Sequence, residues 1–88
     1  MASKTIVVGS AVGLHARPAT LVAQAAGRYD DEISIRLSDM TAEEAVDAGS
    51  SLLIMSLGAE HGDEVILESD NEEALADLAA LIESDLDA

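Results

Sequence analysis

The sequence predicts an α+β fold in which helices cover one face of a largely antiparallel sheet and leave the other face wet. Three observations carry this reading. Residues 32–38 alternate strictly between apolar and polar side chains, the mark of a strand with one buried face. Residues 16–28 and 71–86 carry apolar stripes at helical spacing. Short strand-like and helix-like segments then follow one another as strand, helix, strand, a doubtful strand, short helix, strand, helix. Periodicity by itself leaves the strand directions open.

Each element has its own signal. Lys4 to Val8 is short, β-branched and bounded by Gly9, which reads as a strand. Gly9 to Gly13 is a turn region. From about Ala16 to Arg28 the apolar positions Ala19, Leu21, Val22, Ala25, Ala26 and Tyr29 keep helical spacing, with Pro18 in the first turn, where its missing N–H costs nothing. In the alternating strand Glu32–Ser38, Ile33, Ile35 and Leu37 share one side. Asp39 to Val46 is polar and weakly patterned, a short edge strand or a loop. Ser50 to Met55 suits one or two helical turns, with Gly58 near the C-cap. Asp63 to Ser69 reads as a strand around Val65, Ile66 and Leu67. The last helix runs from about Asn71 to Leu86 on the stripe Leu75, Leu78, Ala79, Ile82 and Leu86. Its start has a capping box available, from Ser69 with Glu72 or from Asp70 with Glu73. No repeat, linker or low-complexity segment interrupts this order, so one domain over residues 1–88 is expected.

Composition narrows the function. There is no cysteine, which excludes a disulfide framework, a thiol nucleophile and a thiolate metal site. Tyr29 is the sole aromatic residue, so the core is aliphatic and stacking platforms for bases are absent. A net charge of -14 argues against binding a nucleic-acid backbone. No apolar run approaches the length of a membrane span, and the N-terminus lacks the apolar region of a signal peptide. A soluble cytoplasmic protein, without cofactor, metal or membrane insertion, is therefore expected. The charge is also uneven: all 18 acidic residues lie from Asp30 onward, whereas residues 1–29 hold Lys4, Arg17, Arg28 and no carboxylate. A surface built from the first third is where an anion is best tolerated; equally, the carboxylates can simply solvate the outer faces of the later elements.

The two histidines differ in setting. His61 lies in the polar turn Ala59-Glu60-His61-Gly62-Asp63 and reads as a solvated turn residue. His15 lies in Gly13-Leu14-His15-Ala16-Arg17-Pro18, where a glycine-bearing loop meets a helix start. First-turn N–H groups and the positive end of the helix dipole favour an anion there. Arg17 adds a permanent charge in a fork suited to phosphate, and a neutral imidazole nitrogen is a competent nucleophile. The same residues also fit an ordinary loop histidine before a helix.

The segment Gly13-Leu14-His15-Ala16-Arg17-Pro18-Ala19 resembles the active-site signature of the HPr family, the histidine-containing phosphocarriers of the bacterial sugar phosphotransferase system. The segment Val46 to Gly58 resembles the same family's regulatory-serine region, short helix and Leu-Gly turn. The resemblance covers nearly the whole chain. It implies an open-faced β-sandwich in which a four-stranded antiparallel sheet is covered on one face by three helices, in the order βαββαβα. It implies a carrier rather than an enzyme: His15 takes a phosphoryl group on Nδ1 from phospho-enzyme I, charged by phosphoenolpyruvate, and passes it to the enzyme IIA unit of a sugar transporter. Arg17 matches the arginine that steadies this group, and the backbone N–H groups of Ala16 and Arg17 bind it. Ala16 stands where many members have Ser or Thr. Ser50 matches the serine that a regulatory HPr kinase/phosphorylase modifies in some bacteria, although Gly49 replaces a commonly basic neighbour and Ser51 a usually apolar one. A transcriptional regulator is a further possible partner. Ala16, Ala19, Thr20, Leu52 and Met55 are the residues expected to form the docking patch, with core packing the competing role of Met55. A monomer is implied.

Two other classes fit less well. An acyl carrier protein is also small and acidic, but it is a helical bundle whose modified serine lies in Asp-Ser-Leu; here the chain has Gly49-Ser50-Ser51-Leu52 and Ser84-Asp85-Leu86, and the strand at 32–38 does not belong in such a bundle. A metal-binding module would need His15 and His61 closer together, and Asp30-Asp31-Glu32 lacks the spacing of a calcium loop.

Overall fold

A computed structural model describes residues 2–84. The elements are β1 (Ala2–Val7), α1 (Ala16–Ala26), β2 (Ile33–Leu37), a 3-10 turn (Ala42–Glu44), β3 (Val46–Asp47), α2 (Ser51–Ser56), β4 (Glu64–Ser69) and α3 (Glu72–Glu83). The four strands form one sheet in the order β1-β4-β2-β3. All three neighbouring pairs are antiparallel, with Ile6 opposite Val65, Ile35 opposite Leu67 and Ile35 opposite Val46.

The alternation in the sequence becomes two faces of the sheet. Ile6, Ile33, Ile35, Val65 and Leu67 are buried on one of them. Burying one such aliphatic side chain contributes about 1.5–3 kcal/mol. α3 packs on β1 and β4, α1 packs against α2 and α3, and α2 reaches β3. The stripe of α3 is buried as its spacing predicts, at Leu75, Leu78, Ala79 and Ile82; Leu86 lies outside the described residues. On α1 the buried side is mostly alanine (Ala19, Ala25 and Ala26 around Val22), which lets the helices approach closely in a core without aromatic side chains. The other face of the sheet is wet, and there the Arg36 Nε lies 3.6 Å from the Glu68 carboxylate while Nη1 donates to the Met40 carbonyl at 2.6 Å.

Several boundaries differ from the sequence reading, each for a local reason. α1 ends at Ala26, with Gly27 as its C-cap, and the chain leaves it through bonds that span three residues, from Arg28 N–H to the Ala25 carbonyl and from Tyr29 N–H to the Ala26 carbonyl. The segment 39–46 resolves into a 3-10 turn followed by a strand of two residues at the sheet edge. Its capping pair is Thr41 with Glu44, where the Thr41 N–H donates to Glu44 Oε1 at 2.9 Å. The expected capping box at α3 is corrected: the N-cap is Asn71, whose Oδ1 accepts from Ala74 N–H at 3.1 Å. Ser69 cannot play that part, because it still belongs to β4, is fully buried, and accepts the Asn71 N–H with its hydroxyl at 3.1 Å. Gly58, with φ of 68°, follows the C-cap Leu57 and closes α2 in the left-handed conformation that glycine adopts freely. Among the described residues no helix is long and apolar enough to cross a membrane.

The Tyr29 hydroxyl donates to Asp77 Oδ2 and so ties the end of α1 to α3. This bond, then partial desolvation and the Asp77 and Glu73 charges, push the Tyr29 pKa from the ordinary 10.0 up to about 12. The folded state thus holds the phenol neutral. The stabilisation is intact below pH 10.0 and disappears as pH rises through about 12. Because this is the sole phenol, absorbance titration of the folded protein should show one ionisation near pH 12, and Asp77→Ala should move it back toward 10.0.

Candidate functional site

The chain between β1 and α1 is held by close backbone contacts. Gly9 donates its N–H to the Ile82 carbonyl at 2.9 Å, and a Cβ at Gly9 would lie 1.8 Å from the Glu83 carbonyl oxygen. Ser10 to Gly13 closes as a turn, with Gly13 N–H donating to Ser10 at 3.0 Å. Gly13 has φ of 76°, and a Cβ there would sit 2.4 Å from the Ala59 carbonyl oxygen. Leu14 follows with its side chain buried and its N–H donating to that same Ala59 carbonyl at 2.9 Å. With Leu14 pinned inward, the next residue emerges at the surface.

That residue is His15, the N-cap of α1. Its backbone is extended (φ -95°, ψ -160°), its carbonyl accepts the Ala19 N–H at 2.8 Å, and its imidazole makes no capping hydrogen bond. Ala16 and Arg17 are the first two helical residues, whose N–H groups have no acceptor within a helix. Pro18 supplies no N–H, and no acidic residue occupies the first turn of α1, whereas α3 begins with Glu72 and Glu73. The positive end of α1 is thus unneutralised by its own side chains. Arg17 is exposed beside it. An exposed imidazole, two outward amides and one guanidinium can receive an anionic group without a pocket.

The other predicted residues divide. Ser50 is the N-cap of α2, and its Oγ accepts the Leu53 N–H at 3.3 Å. Ala16 and Thr20 are exposed, and the Thr20 hydroxyl donates to the Ala16 carbonyl at 2.7 Å. Leu52 is 75% exposed, while Met55 is partly buried against the core. Ala19 is corrected: it is fully buried, because it lies on the inner side of α1, and it cannot touch a partner. His61 is exposed in its turn. Three large exposed apolar residues escaped the sequence reading, Val7, Leu53 and Val12. Leu53 was findable, because in a helix of two turns with Ile54 inward the two preceding residues project away from the core. Val12 carries no periodic signal, since it sits in a turn.

The architecture defines a small open-faced β-sandwich with an exposed histidine at a helix start. The sequence model of the family described as "PTS HPr component phosphorylation site" matches residues 2–84. The phosphocarrier protein HPr of Streptomyces coelicolor is 41% identical over 81 residues, covering 92% of this chain and 84% of the relative. Among solved structures, the phosphocarrier protein HPr of Bacillus anthracis superposes with a TM-score of 0.81 at 34% identity, covering 92% of this chain and 95% of that one. HPr-C-His of Thermoanaerobacter tengcongensis gives 0.80 at 37% identity, covering 94% and 92%. The chain belongs to the HPr family, the phosphocarriers of the phosphotransferase system.

Proposed function

We propose that His15 is the phosphoryl acceptor of this chain and that it works in the cytoplasm as a single-domain, monomeric carrier, not as an enzyme. The Nδ1 lone pair attacks phosphorus as its bond to phospho-enzyme I breaks, and the electron pair of that bond returns to the donor. The other ring nitrogen of His15 keeps the proton. The reverse event at an enzyme IIA unit frees His15 again. The observation that carries this reading is the exposed imidazole at the start of α1, uncommitted to any capping bond. The Ala16 and Arg17 amides and the Arg17 guanidinium bind the phosphoryl oxygens. These contacts are few and open to solvent, which suits a group that must be held in transit and then released. Most of the rate enhancement belongs to the partner's site, because phosphoryl transfer depends chiefly on positioning and electrostatics.

Docking partners meet Ala16, Thr20, Leu52 and the exposed edge of Met55. Leu53 and Val12 are further exposed apolar residues available to a partner. The packing of α2 against α1 supports reading Ser50 with the same face. A kinase acting at Ser50 would add roughly two negative charges there. Enzyme I and enzyme IIA, and any transcriptional regulator that reads this face, would then respond to that charge.

Incubation with enzyme I and phosphoenolpyruvate should add one acid-labile phosphate, read by intact mass. His15→Ala should abolish it and His61→Ala should not; label retained by His15→Ala refutes the assignment.

Arg17→Ala should keep the circular dichroism spectrum while slowing transfer. Charge-assisted hydrogen bonds of about 1.5–3 kcal/mol correspond to roughly tenfold to a hundredfold in rate, where they act mainly in the transition state. Rapid-quench kinetics at wild-type rate would contradict this role.

Ser50→Asp should stay folded yet accept phosphate more slowly at low salt, with the deficit shrinking as salt rises. Equal rates at low salt would leave Ser50 with its capping role alone.

A further inference from the structure

The turn Ala59–Asp63 lies more than forty residues from His15 in the chain, yet it holds the residue before it. One side chain joins its backbone in closing it. Asp63 Oδ2 accepts the Glu60 N–H at 2.9 Å, and the Asp63 N–H donates to the Glu60 carbonyl at 3.0 Å, closing the turn from both ends. Gly62 completes it with φ of 89°. One side of the turn is tied to the end of β1, since Val8 N–H donates to the Asp63 carbonyl at 2.8 Å and Gly62 N–H to the Val8 carbonyl at 3.0 Å. The other side faces the site loop. The Ala59 carbonyl receives the Leu14 N–H at 2.9 Å, and the Glu60 Cα stands 2.8 Å from where a Gly13 Cβ would be. Ala59 and Leu14 are each 1% exposed, so neither has room to reorient.

We propose that Asp63 is a positioning residue for His15, acting through the Glu60 N–H and the Ala59 carbonyl on the Leu14 amide. The inference rests on His15 being the phosphoryl acceptor. The carboxylate fixes the Glu60 backbone, that backbone aims the Ala59 carbonyl and walls in Gly13, and Leu14 then has one orientation. The imidazole one residue further on inherits it. The role is geometric, since Asp63 acts by accepting a hydrogen bond, and a neutral acceptor of the same shape would serve. Exposed carboxylates near a site that receives a dianionic group raise its energy by repulsion, so the charge itself gives no advantage there.

The test compares the full-length wild type with Asp63→Ala and Asp63→Asn as substrates of enzyme I and phosphoenolpyruvate. Small displacements of a nucleophile cost rate more than binding, so Asp63→Ala should lower kcat about tenfold, with KM for the carrier within about twofold. Asp63→Asn keeps an acceptor oxygen without the charge and should restore kcat to within about twofold of wild type. Hydrogen exchange of the Leu14 amide should accelerate in Asp63→Ala and not in Asp63→Asn. Wild-type kcat in Asp63→Ala overturns the proposal. So does a rise in KM alone, which is a docking effect, and so does an Asn variant as slow as Ala, which is a charge effect. Should Asp63→Ala not fold, Asp63→Glu replaces it, because the extra methylene misplaces the carboxylate while keeping its charge. A wild type that takes no label refutes the acceptor reading instead, and the Leu14 exchange comparison still decides whether Asp63 orders the loop.

Discussion

β4 carries the largest burden in this structure, because its backbone pairs with β1 on one edge and β2 on the other. It is the last strand in sequence and an inner strand in the sheet. The sheet is therefore incomplete without residues 64–69, and α3 packs on the surface that their pairing with β1 creates. Since β4 is preceded directly by the turn at 59–63, its insertion also delivers that turn to the loop before α1. The site at His15 is in this sense a consequence of strand order: residues of the first and last thirds meet because the middle of the sheet is filled from the C-terminal side.

The site itself is a local exception to the electrostatics of the whole. With a net charge of -14 the molecule as a whole repels anions. The start of α1 carries features that oppose that repulsion. No carboxylate occurs before Asp30, the helix dipole is positive there, and Arg17 adds a formal charge. Screening reduces the distant carboxylates over about a Debye length, about 8 Å at physiological salt, whereas the amides of Ala16 and Arg17 act at contact distance. For an anion at that end of α1, short-range donors would outweigh the distant carboxylates, and the acidic remainder would act on charged molecules approaching from afar. Basic surfaces on those partners would be drawn in faster at low salt.

Three glycines show how much of the site is a matter of close backbone approach. Gly9 lies against the carbonyl of Glu83, Gly13 lies against that of Ala59, and Gly62 turns the loop that carries Ala59. A side chain at either of the first two would displace a backbone from a distant part of the chain. The loop is rigid through such contacts, and Leu14 supplies the apolar anchor that makes the rigidity worthwhile. The exposed apolar residues Val7, Val12, Leu52 and Leu53 stand in contrast, since burial within the chain leaves them out.

By itself the sequence determined whatever depends on period and local chemistry. The alternation at 32–38 yielded the faces of β2, and the stripe Leu75, Leu78, Ala79 and Ile82 yielded the buried side of α3. Gly13 to Pro18 marked the helix start at His15, and Ser50 to Met55 marked the short helix that follows β3. The tertiary structure decided the rest. Strand order was invisible, because a period of two says which face a residue takes but not which strand lies beside it. The segment before α2 stayed open between an edge strand and a loop, because so short a strand as β3 is defined by its pairing with Ser34 and Ile35, not by its own composition. The α3 cap fell to Asn71 because β4 retains Ser69 to its last paired residue. Ala19 went inward with Val22, Ala25 and Ala26, as its helical spacing already implied, so the docking role given to it conflicted with the period of its own helix. The hold of the 59–63 turn on Leu14 is likewise a contact between backbones far apart in sequence, for which no side-chain pattern leaves a trace.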